Sequence, residues 1–263
     1  MEQDNKKNET EQDTFTHTYD NGFHPKEVHL KQNYKLYRKG FFFKIGHVLT
    51  ALLVKFFFWF PKTFVWNLKI VGKENVKELN GATLVSNHTH QLDALMYLSR
   101  WPFKLTYVTM LESNLGFGIV SKFFRLGGAV PIPTDQRLFI KFVKETIKTV
   151  DEGHPVLIYP EAALVPYSDH IRPFKDGAFR FAFQTKNKKI VPMCLTYHKP
   201  KGIYKLTRRK KPCIKINILK PYYIKDLGNK KKSIELAEKE VHEILSEYFN
   251  THSDYFFKDE NNK

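Results

Sequence analysis

The chain has 263 residues, enough for one sizeable domain or two small ones, and its 42% apolar and 15% aromatic content is ample for a packed core. Its two cysteines, Cys194 and Cys213, are separated by 18 residues and have no CxxC partner, which argues against a disulfide framework or a zinc site and fits a reducing cytosol. No basic region followed by an apolar core opens the sequence, so we expect no cleaved signal peptide.

The first 20 residues differ in composition from the rest of the chain. They carry six acids against two lysines and almost no aliphatic residues, too little apolar area to offset the entropy of ordering, so we predict a disordered acidic tail. Because this tail holds −4 of a net charge of +16, residues 21–263 carry +20. Such a charge attracts nucleic acid, an anionic membrane surface or phosphorylated small molecules, or only keeps the protein soluble.

Residues 41–66, FFFKIGHVLTALLVKFFFWFPKTFVW, are the most apolar and aromatic stretch. A spanning helix needs about 20 mostly apolar residues, but Lys55 would lie near the middle of such a span and be costly there. We therefore predict a helix that lies in the membrane interface and ends or kinks at Pro61. The alternative is an ordinary core helix. For residues 21–64 together we predict a membrane-associating helical segment, which makes the protein peripheral or monotopic on the cytoplasmic face of the cell membrane.

From residue 65 to 250 the hydrophobic pattern switches repeatedly between the periods of strand and helix. Strands are predicted at residues 65–72, 82–87, 105–110, 155–161, 190–197 and 213–221. Helices are predicted at residues 134–153, 178–185 and 233–249, the first of them with Thr134 as N-cap and Gly153 just past its end. This alternation predicts a single α/β domain with a mostly parallel central sheet flanked by helices, followed by a polar C-terminal tail at residues 251–263.

The stretch TLVSNHTHQLDAL, residues 83–95, places polar residues directly after an apolar strand, at the sheet edge where ligands bind. If the strand ends near Ser86 and a helix begins around Gln91, His88 lies on the turn and Asp93 in the first helical turn, within reach of one imidazole nitrogen. An imidazole held in this way is a general base, a role worth roughly 10² to 10⁴ in rate. No protein nucleophile is evident, so the deprotonated hydroxyl would belong to the substrate.

The same residues carry a family resemblance. NHTHQLD resembles the Asn-His-x4-Asp motif of the glycerolipid acyltransferases, the family of the bacterial 1-acyl-glycerol-3-phosphate acyltransferases. The family's further blocks follow in its order, covering about residues 65 to 220: LGGAVPIP at 126–133, YPEAAL at 159–164 with IRPFKDGAFRFA at 171–182, and IVPMCLTY at 190–197.

The resemblance implies an acyltransferase of phospholipid synthesis. His88 would take the proton from the free hydroxyl of a lysophospholipid, with 1-acyl-glycerol-3-phosphate as the first candidate, while that oxygen attacks the thioester of acyl-CoA or acyl carrier protein. Asp93 would orient and electrostatically support His88. Glu161 matches a glutamate that helps assemble the acceptor site, and Gly128 matches the glycine of the second block. The partners implied are membrane lipid and the acyl donor, with no cofactor, no metal and no nucleic acid.

Two departures from the family pattern affect phosphate recognition. Residues 162–164 read Ala-Ala-Leu where the family has Gly-Thr-Arg, and Thr134 stands in place of the second block's arginine. Either the acceptor is not lysophosphatidic acid, or other cations hold its phosphate, for which arginine offers two parallel donors. The candidates for this substrate-binding role are Arg137, Arg172, Lys175 and Arg180.

Three rival functions are open at this point. His88, His90 and Asp93 resemble the His-x-His-x-Asp-His zinc motif of metallo-β-lactamase-type hydrolases, but the aspartate is one residue late and no histidine follows it. Nucleic-acid binding would use the positive charge, yet it has no recognisable motif here and leaves the histidine and aspartate unexplained. A non-catalytic anionic-lipid-binding relative would explain the missing arginines, but a binder needs no oriented base. Asn87 has the simple alternative role of a turn cap.

Overall fold

The computed structural model describes residues 26–65, 67–90, 92–100, 105–207 and 211–255. The predicted acidic tail, residues 1–20, lies outside these described residues. The strands are β1 (Lys69–Val71), β2 (Thr83–Ser86), β3 (Tyr107–Leu111), β4 (Ala129–Ile132), β5 (Val156–Ile158), β6 (Lys189–His198), β7 (Cys213–Ile218) and β8 (Tyr222–Tyr223). The α-helices are α1 (Phe41–Phe60), α2 (Asp93–Arg100), α3 (Ile119–Leu126), α4 (Gln136–Asp151), α5 (Gly177–Gln184), α6 (Tyr204–Thr207) and α7 (Lys230–His252). A π-helical turn at Pro61–Val65 continues α1, and 3-10 helices lie at Lys73–Leu79 and Glu112–Phe117.

The strands form one sheet in the order β1-β7-β6-β2-β5-β3-β4, with β8 pairing beside β6. All neighbours run parallel except the pairs of β6 with β7 and with β8. The central strands β2, β5 and β6 are buried almost throughout, as expected of parallel strands covered by helices on both faces. The predicted α/β domain with a mostly parallel sheet is therefore confirmed.

The strand register determines which loops are neighbours. In the parallel pairs around β2, Val85 is opposite Ile158 of β5, and Ser86 is opposite Met193 of β6. The carboxyl ends of β2 and β5 thus reach the same edge of the sheet. The loop after β2 and the loop after β5 lie side by side there, which brings two distant stretches of sequence into one place.

Two helices begin at positions other than those predicted, because of their N-cap residues. The N-cap of α4 is Asp135 and not the predicted Thr134, because the Asp135 carboxylate accepts the Leu138 amide at 2.9 Å. Thr134 instead donates to the Glu112 carboxylate through its amide at 2.6 Å and its hydroxyl at 2.7 Å. Helix α7 is longer than the predicted 233–249. Asn229 is its N-cap, so the helix begins at Lys230, three residues before the predicted start. It ends at His252, while residues 256–263 of the predicted tail lie outside the described residues.

Residues 26–40, the first described part of the predicted membrane-associating segment, pack on the α/β domain. Leu36 and Tyr37 are buried, and the Tyr37 hydroxyl lies 2.8 Å from that of Thr146 on α4. The buried Arg125 guanidinium donates to the backbone carbonyls of residues 35 and 36. This segment therefore fastens the start of α1 to the domain.

Helix α1 has one face on the protein and one face in solvent. It packs against α2 and α3, with His47, Thr50, Ala51 and Val54 buried at helical spacing. Large apolar side chains cover the opposite face, and Phe42 there is 85% exposed. Among the described residues, α1 with its π-helical continuation is the one helix long and apolar enough to cross a membrane, judged by length and composition alone. A core helix would bury this face, so the alternative of an ordinary core helix does not describe α1.

Candidate active site

The Asn87 side chain holds the start of the turn between β2 and α2 by hydrogen bonds to the backbone of β6. The buried Asn87 amide donates to the Leu195 carbonyl at 3.1 Å, and its carbonyl oxygen accepts the Leu195 amide at 2.8 Å. Asn87 thereby extends the pairing of β2 with β6 by one residue beyond Ser86, rather than capping the turn. The backbone that carries His88 is held against the sheet.

His88 and Asp93 meet at this turn. The His88 Nδ1 atom lies 3.1 Å from Asp93 Oδ2, and the same oxygen accepts the amides of Thr89 at 2.8 Å and His90 at 3.0 Å. Asp93 is fully buried, whereas the His88 side chain is 25% exposed. The Thr89 and His90 amides hold the carboxylate in place. Because a carboxylate oxygen accepts, the imidazole carries its hydrogen on Nδ1, toward Asp93, and Nε2 is the basic ring nitrogen.

The ring of His88 also stacks on an aromatic side chain that the sequence reasoning did not single out. Tyr159 follows β5 directly, and its ring lies 4.1 Å from the His88 ring, centroid to centroid, at 19°. Burial raises the pKa of the Tyr159 phenol well above its ordinary value, so this side chain stays neutral. Its place immediately after a buried strand, two residues before Glu161, was the available signal. Asp93 and Tyr159 together restrict both the rotation and the tilt of the imidazole.

Glu161 forms the second buried carboxylate of the site. Its Oε2 accepts the Arg172 guanidinium through Nε at 3.1 Å and Nη2 at 2.8 Å, and it also accepts the His88 amide at 3.4 Å. The guanidinium donates further to the Ala163 carbonyl. Burial raises the pKa of the Glu161 carboxyl, and the charge and hydrogen bonds of Arg172 counter part of that rise. The ion pair thus joins the loop after β5 to the backbone of the loop after β2.

Gly128 lies elsewhere. It precedes β4, at the amino end of that strand, while His88 follows the carboxyl end of β2. Its φ is +97°, and a Cβ atom there would lie 2.6 Å from the Thr106 carbonyl oxygen. The backbone at this position therefore requires glycine for conformation and space. The predicted contribution of Gly128 to substrate binding stays a prediction.

The four predicted phosphate ligands are dispersed. Arg172 is buried against Glu161, and the Lys175 amide donates to the Pro160 carbonyl at 2.9 Å, so both lie at the loop after β5. Arg180 is on the surface of α5 in an ion pair with Asp176 at 2.7 Å. Arg137 is exposed in the first turn of α4, which follows β4, three strand positions from β2. A phosphate contact by any of them stays a prediction.

His90 is turned toward its own loop. Its Nδ1 accepts the Leu92 amide at 3.1 Å, and its ring lies edge-on to Tyr167 at 6.0 Å. In the part of the chain that the structure describes, no group of three His, Cys, Asp or Glu side chains is placed to hold a metal ion.

Comparisons with known proteins give a matching family model and a solved structure of similar fold. A family model described as Acyltransferase matches residues 67–196, which include β1 to most of β6 and the His88, Asp93 and Glu161 positions. The crystal structure of the 1-acyl-sn-glycerophosphate (LPA) acyltransferase PlsC from Thermotoga maritima superposes with a TM-score of 0.50 at 15% sequence identity. The alignment covers 81% of this chain and 99% of that one. A search of the curated proteins gives no match.

Proposed function

We propose that this chain, which the Acyltransferase family model matches over residues 67–196, is a glycerolipid acyltransferase that moves a fatty acyl group from an acyl thioester to the free hydroxyl of a lysophospholipid. The donor is acyl-CoA or acyl carrier protein. The observation that carries the proposal is the 3.1 Å contact between His88 Nδ1 and the buried Asp93 carboxylate, at the sheet edge where α/β domains bind ligands.

The proposed reaction uses His88 as a general base. His88 Nε2 accepts the proton of the acceptor hydroxyl as the hydroxyl oxygen attacks the thioester carbonyl carbon. The new C–O bond forms, the C–S bond breaks, and the imidazolium returns the proton to the departing sulfur, giving an ester and a free thiol. Asp93 holds the ring and stabilises its transient positive charge. The acceptor oxygen is itself the nucleophile, so no acyl group is attached to the protein.

We propose 1-acyl-glycerol-3-phosphate as the first acceptor to test. The Thermotoga maritima protein is described as a 1-acyl-sn-glycerophosphate acyltransferase, and Glu161, which accepts both the Arg172 guanidinium and the His88 amide, links the loop after β5 to the β2 loop. Since residues 162–164 lack the family's Gly-Thr-Arg, a lysolipid without a terminal phosphate monoester is the alternative acceptor.

The acceptor and product are membrane lipids, so we also propose that the protein binds the cytoplasmic face of the cell membrane through α1. The exposed face of this helix is lined by apolar and aromatic side chains, while His47 and its buried neighbours attach the helix to the domain. An apolar face of this kind enters the headgroup and acyl boundary of a bilayer.

The test is product formation by the full chain. Purified protein is incubated with acyl-CoA or acyl carrier protein donors and a panel of lysophospholipids with and without a terminal phosphate, and free thiol and diacyl product are measured. We expect thiol release that depends on the acceptor, with one mole of ester for each mole of thiol. If the protein binds lysolipid vesicles but produces neither thiol nor ester with any pair, it is a lipid-binding relative without acyl-transfer activity.

A further inference from the structure

The segment that follows β6 presents two large apolar side chains to solvent. Ile203 is 60% exposed and Leu206 is 82% exposed. The Leu206 amide donates to the Ile203 carbonyl at 3.0 Å, so the two residues are three apart on one helical turn and lie on the same side of it. Burying such side chains is favourable, and an exposed apolar pair on an ordered turn indicates a surface that another phase or molecule covers.

The residues around this pair are basic. Residues 199–207, hereafter the basic-apolar loop, read KPKGIYKLT and contain no acid. Lys199, Lys201 and Lys205 are all exposed. Apolar side chains flanked by lysines match a membrane surface that contains anionic phospholipid, since the apolar groups enter the acyl boundary and the ammonium groups meet phosphates.

The position of the basic-apolar loop relates it to both α1 and the candidate active site. Strand β6 runs parallel to β2, so the loop leaves the sheet at the edge where His88 lies. The Tyr204 hydroxyl donates to the Thr63 carbonyl at 2.6 Å, which places α6 against the carboxyl end of the α1 segment. Trp59 and Phe60 at that end are exposed. The loop therefore extends the exposed apolar face of α1 toward the catalytic edge of the sheet.

We propose that the basic-apolar loop is a second membrane contact, which inserts Ile203 and Leu206 into a bilayer containing anionic phospholipid and turns the His88 edge of the sheet toward the lipid surface. The inference rests on the proposed function where activity is the readout, because the contact then presents a membrane-borne acceptor to His88. By the usual free energy of burying a leucine, Leu206→Ser weakens vesicle binding by roughly tenfold. By the usual attraction of lysine to anionic lipid, Lys201→Gln/Lys205→Gln weakens it by about fivefold for each lysine.

The experiment compares Leu206→Ser in the full chain with the matched variant Leu227→Ser. Leu227 is also exposed, but it lies after β8, which pairs with the first residues of β6 at the opposite edge of the sheet. Binding is measured by co-flotation with vesicles of phosphatidylcholine and phosphatidylglycerol and with vesicles of phosphatidylcholine alone. We expect Leu206→Ser to lower binding to both, and Leu227→Ser to bind like the wild-type chain. The control for Lys201→Gln/Lys205→Gln is Lys230→Gln/Lys231→Gln, which changes the net charge equally but at the opposite edge of the sheet. We expect this control to bind vesicles containing phosphatidylglycerol like the wild-type chain.

Acyl-transfer assays distinguish a membrane contact by the basic-apolar loop from a direct role of the loop in the active site. Each variant is assayed with an acceptor carried in vesicles and with a short-chain lysophospholipid dissolved as monomer. Leu206→Ser should lose roughly tenfold on the vesicle acceptor and keep wild-type turnover of the soluble one. Equal loss on both acceptors, or wild-type vesicle binding, would overturn the proposal. So would a wild-type dimer in solution that Leu206→Ser dissociates, because the loop would then join two copies. If the wild-type chain turns over neither acceptor, the proposed function fails, while co-flotation still decides on the membrane contact.

Discussion

A buried carboxylate follows β2 and another follows β5 at the same edge of the sheet, yet the two carboxylates, Asp93 and Glu161, have different partners. Asp93 accepts an imidazole and two backbone amides on one oxygen. Glu161 accepts a guanidinium on Oε2 through two of its nitrogens, together with the His88 amide. The first arrangement leaves a basic nitrogen of the imidazole directed away from the protein carboxylate. The second neutralises the carboxylate and joins the two loops.

This difference leads us to expect different roles for Asp93 and Glu161, although both lie at the same edge of the sheet. If Asp93 orients the base as proposed, its removal should affect turnover more than folding. Glu161 is paired with the buried Arg172, so breaking that pair should affect folding first; the predicted contribution of Glu161 to the acceptor site stays a prediction. The following substitutions test whether the two roles differ.

The largest effect is expected from His88→Ala. Loss of the general base should lower kcat by roughly 10² to 10⁴. The free energy of unfolding should fall much less, because the Asp93 oxygen keeps the Thr89 and His90 amides as donors. The assay is steady-state acyl transfer, and chemical denaturation checks the fold. His170→Ala is the matched control, since His170 Nδ1 also lies near a carboxylate, Asp169 Oδ1 at 2.6 Å, but on the exposed surface. A folded His88→Ala protein with wild-type turnover would remove His88 from the mechanism.

Arg172→Met should mainly destabilise the protein. It leaves the Glu161 charge buried without its partner, which typically costs about 3–5 kcal/mol of unfolding free energy. Arg180→Met breaks only the exposed pair with Asp176 and should cost at most about 1 kcal/mol. Adding Glu161→Gln to Arg172→Met should restore part of the loss; if it does not, the ion pair is not the source of the effect.

The destabilisation by Arg172→Met should also depend on pH. Burial raises the pKa of Glu161 above its ordinary 4.5 in the folded chain, and loss of Arg172 raises it further. A carboxyl with a raised folded pKa contributes its stability fully below the unfolded pKa and loses it as the pH rises through the folded pKa. Denaturation curves should therefore show a larger deficit at neutral pH than in mild acid. An equal deficit at both would contradict the assignment to Glu161.

Asn87→Ala tests whether Asn87 has a structural role in the β2 loop and takes no part in the reaction. It leaves the Leu195 amide and carbonyl without their side-chain partner in a buried position, at a cost of about 1–3 kcal/mol. Below the melting transition we expect kcat to fall much less than in His88→Ala. If kcat instead falls as far as in His88→Ala while the unfolding free energy is unchanged, Asn87 takes part in the reaction.

The smallest effect is expected from Tyr159→Leu, which removes the ring stacked on His88 and keeps an apolar side chain. Stacked rings contribute about 0.5–1.5 kcal/mol, so kcat should fall by no more than roughly tenfold with KM unchanged. Tyr159→Phe keeps the ring and should restore kcat. A Phe variant as slow as the Leu variant would assign the effect to the buried hydroxyl and not to stacking.

The sequence predicted the fold class and the His88–Asp93 pair because both depend on local patterns. Strand and helix periods identify the elements, and a spacing of five across a strand-to-helix turn limits where the two side chains lie. The pairing of Glu161 with Arg172 depends on how the loop after β5 folds back between residues 11 apart in sequence, and that of Asn87 with Leu195 depends on strand order over a separation of 108 residues. Neither has a periodic signal. The wrong N-cap, Thr134 instead of Asp135, has another cause, since both residues are good caps and only the contact with Glu112 distinguishes them.

A double-mutant cycle on turnover measures the coupling between the oriented base and its carboxylate. kcat/KM for acyl transfer is compared among the wild-type chain, His88→Ala, Asp93→Asn and the double variant under one set of conditions. If Asp93 acts through His88, the double variant should be no slower than His88→Ala alone. Losses that multiply would show that the two residues act independently, and wild-type turnover of a folded His88→Ala protein would contradict the account altogether.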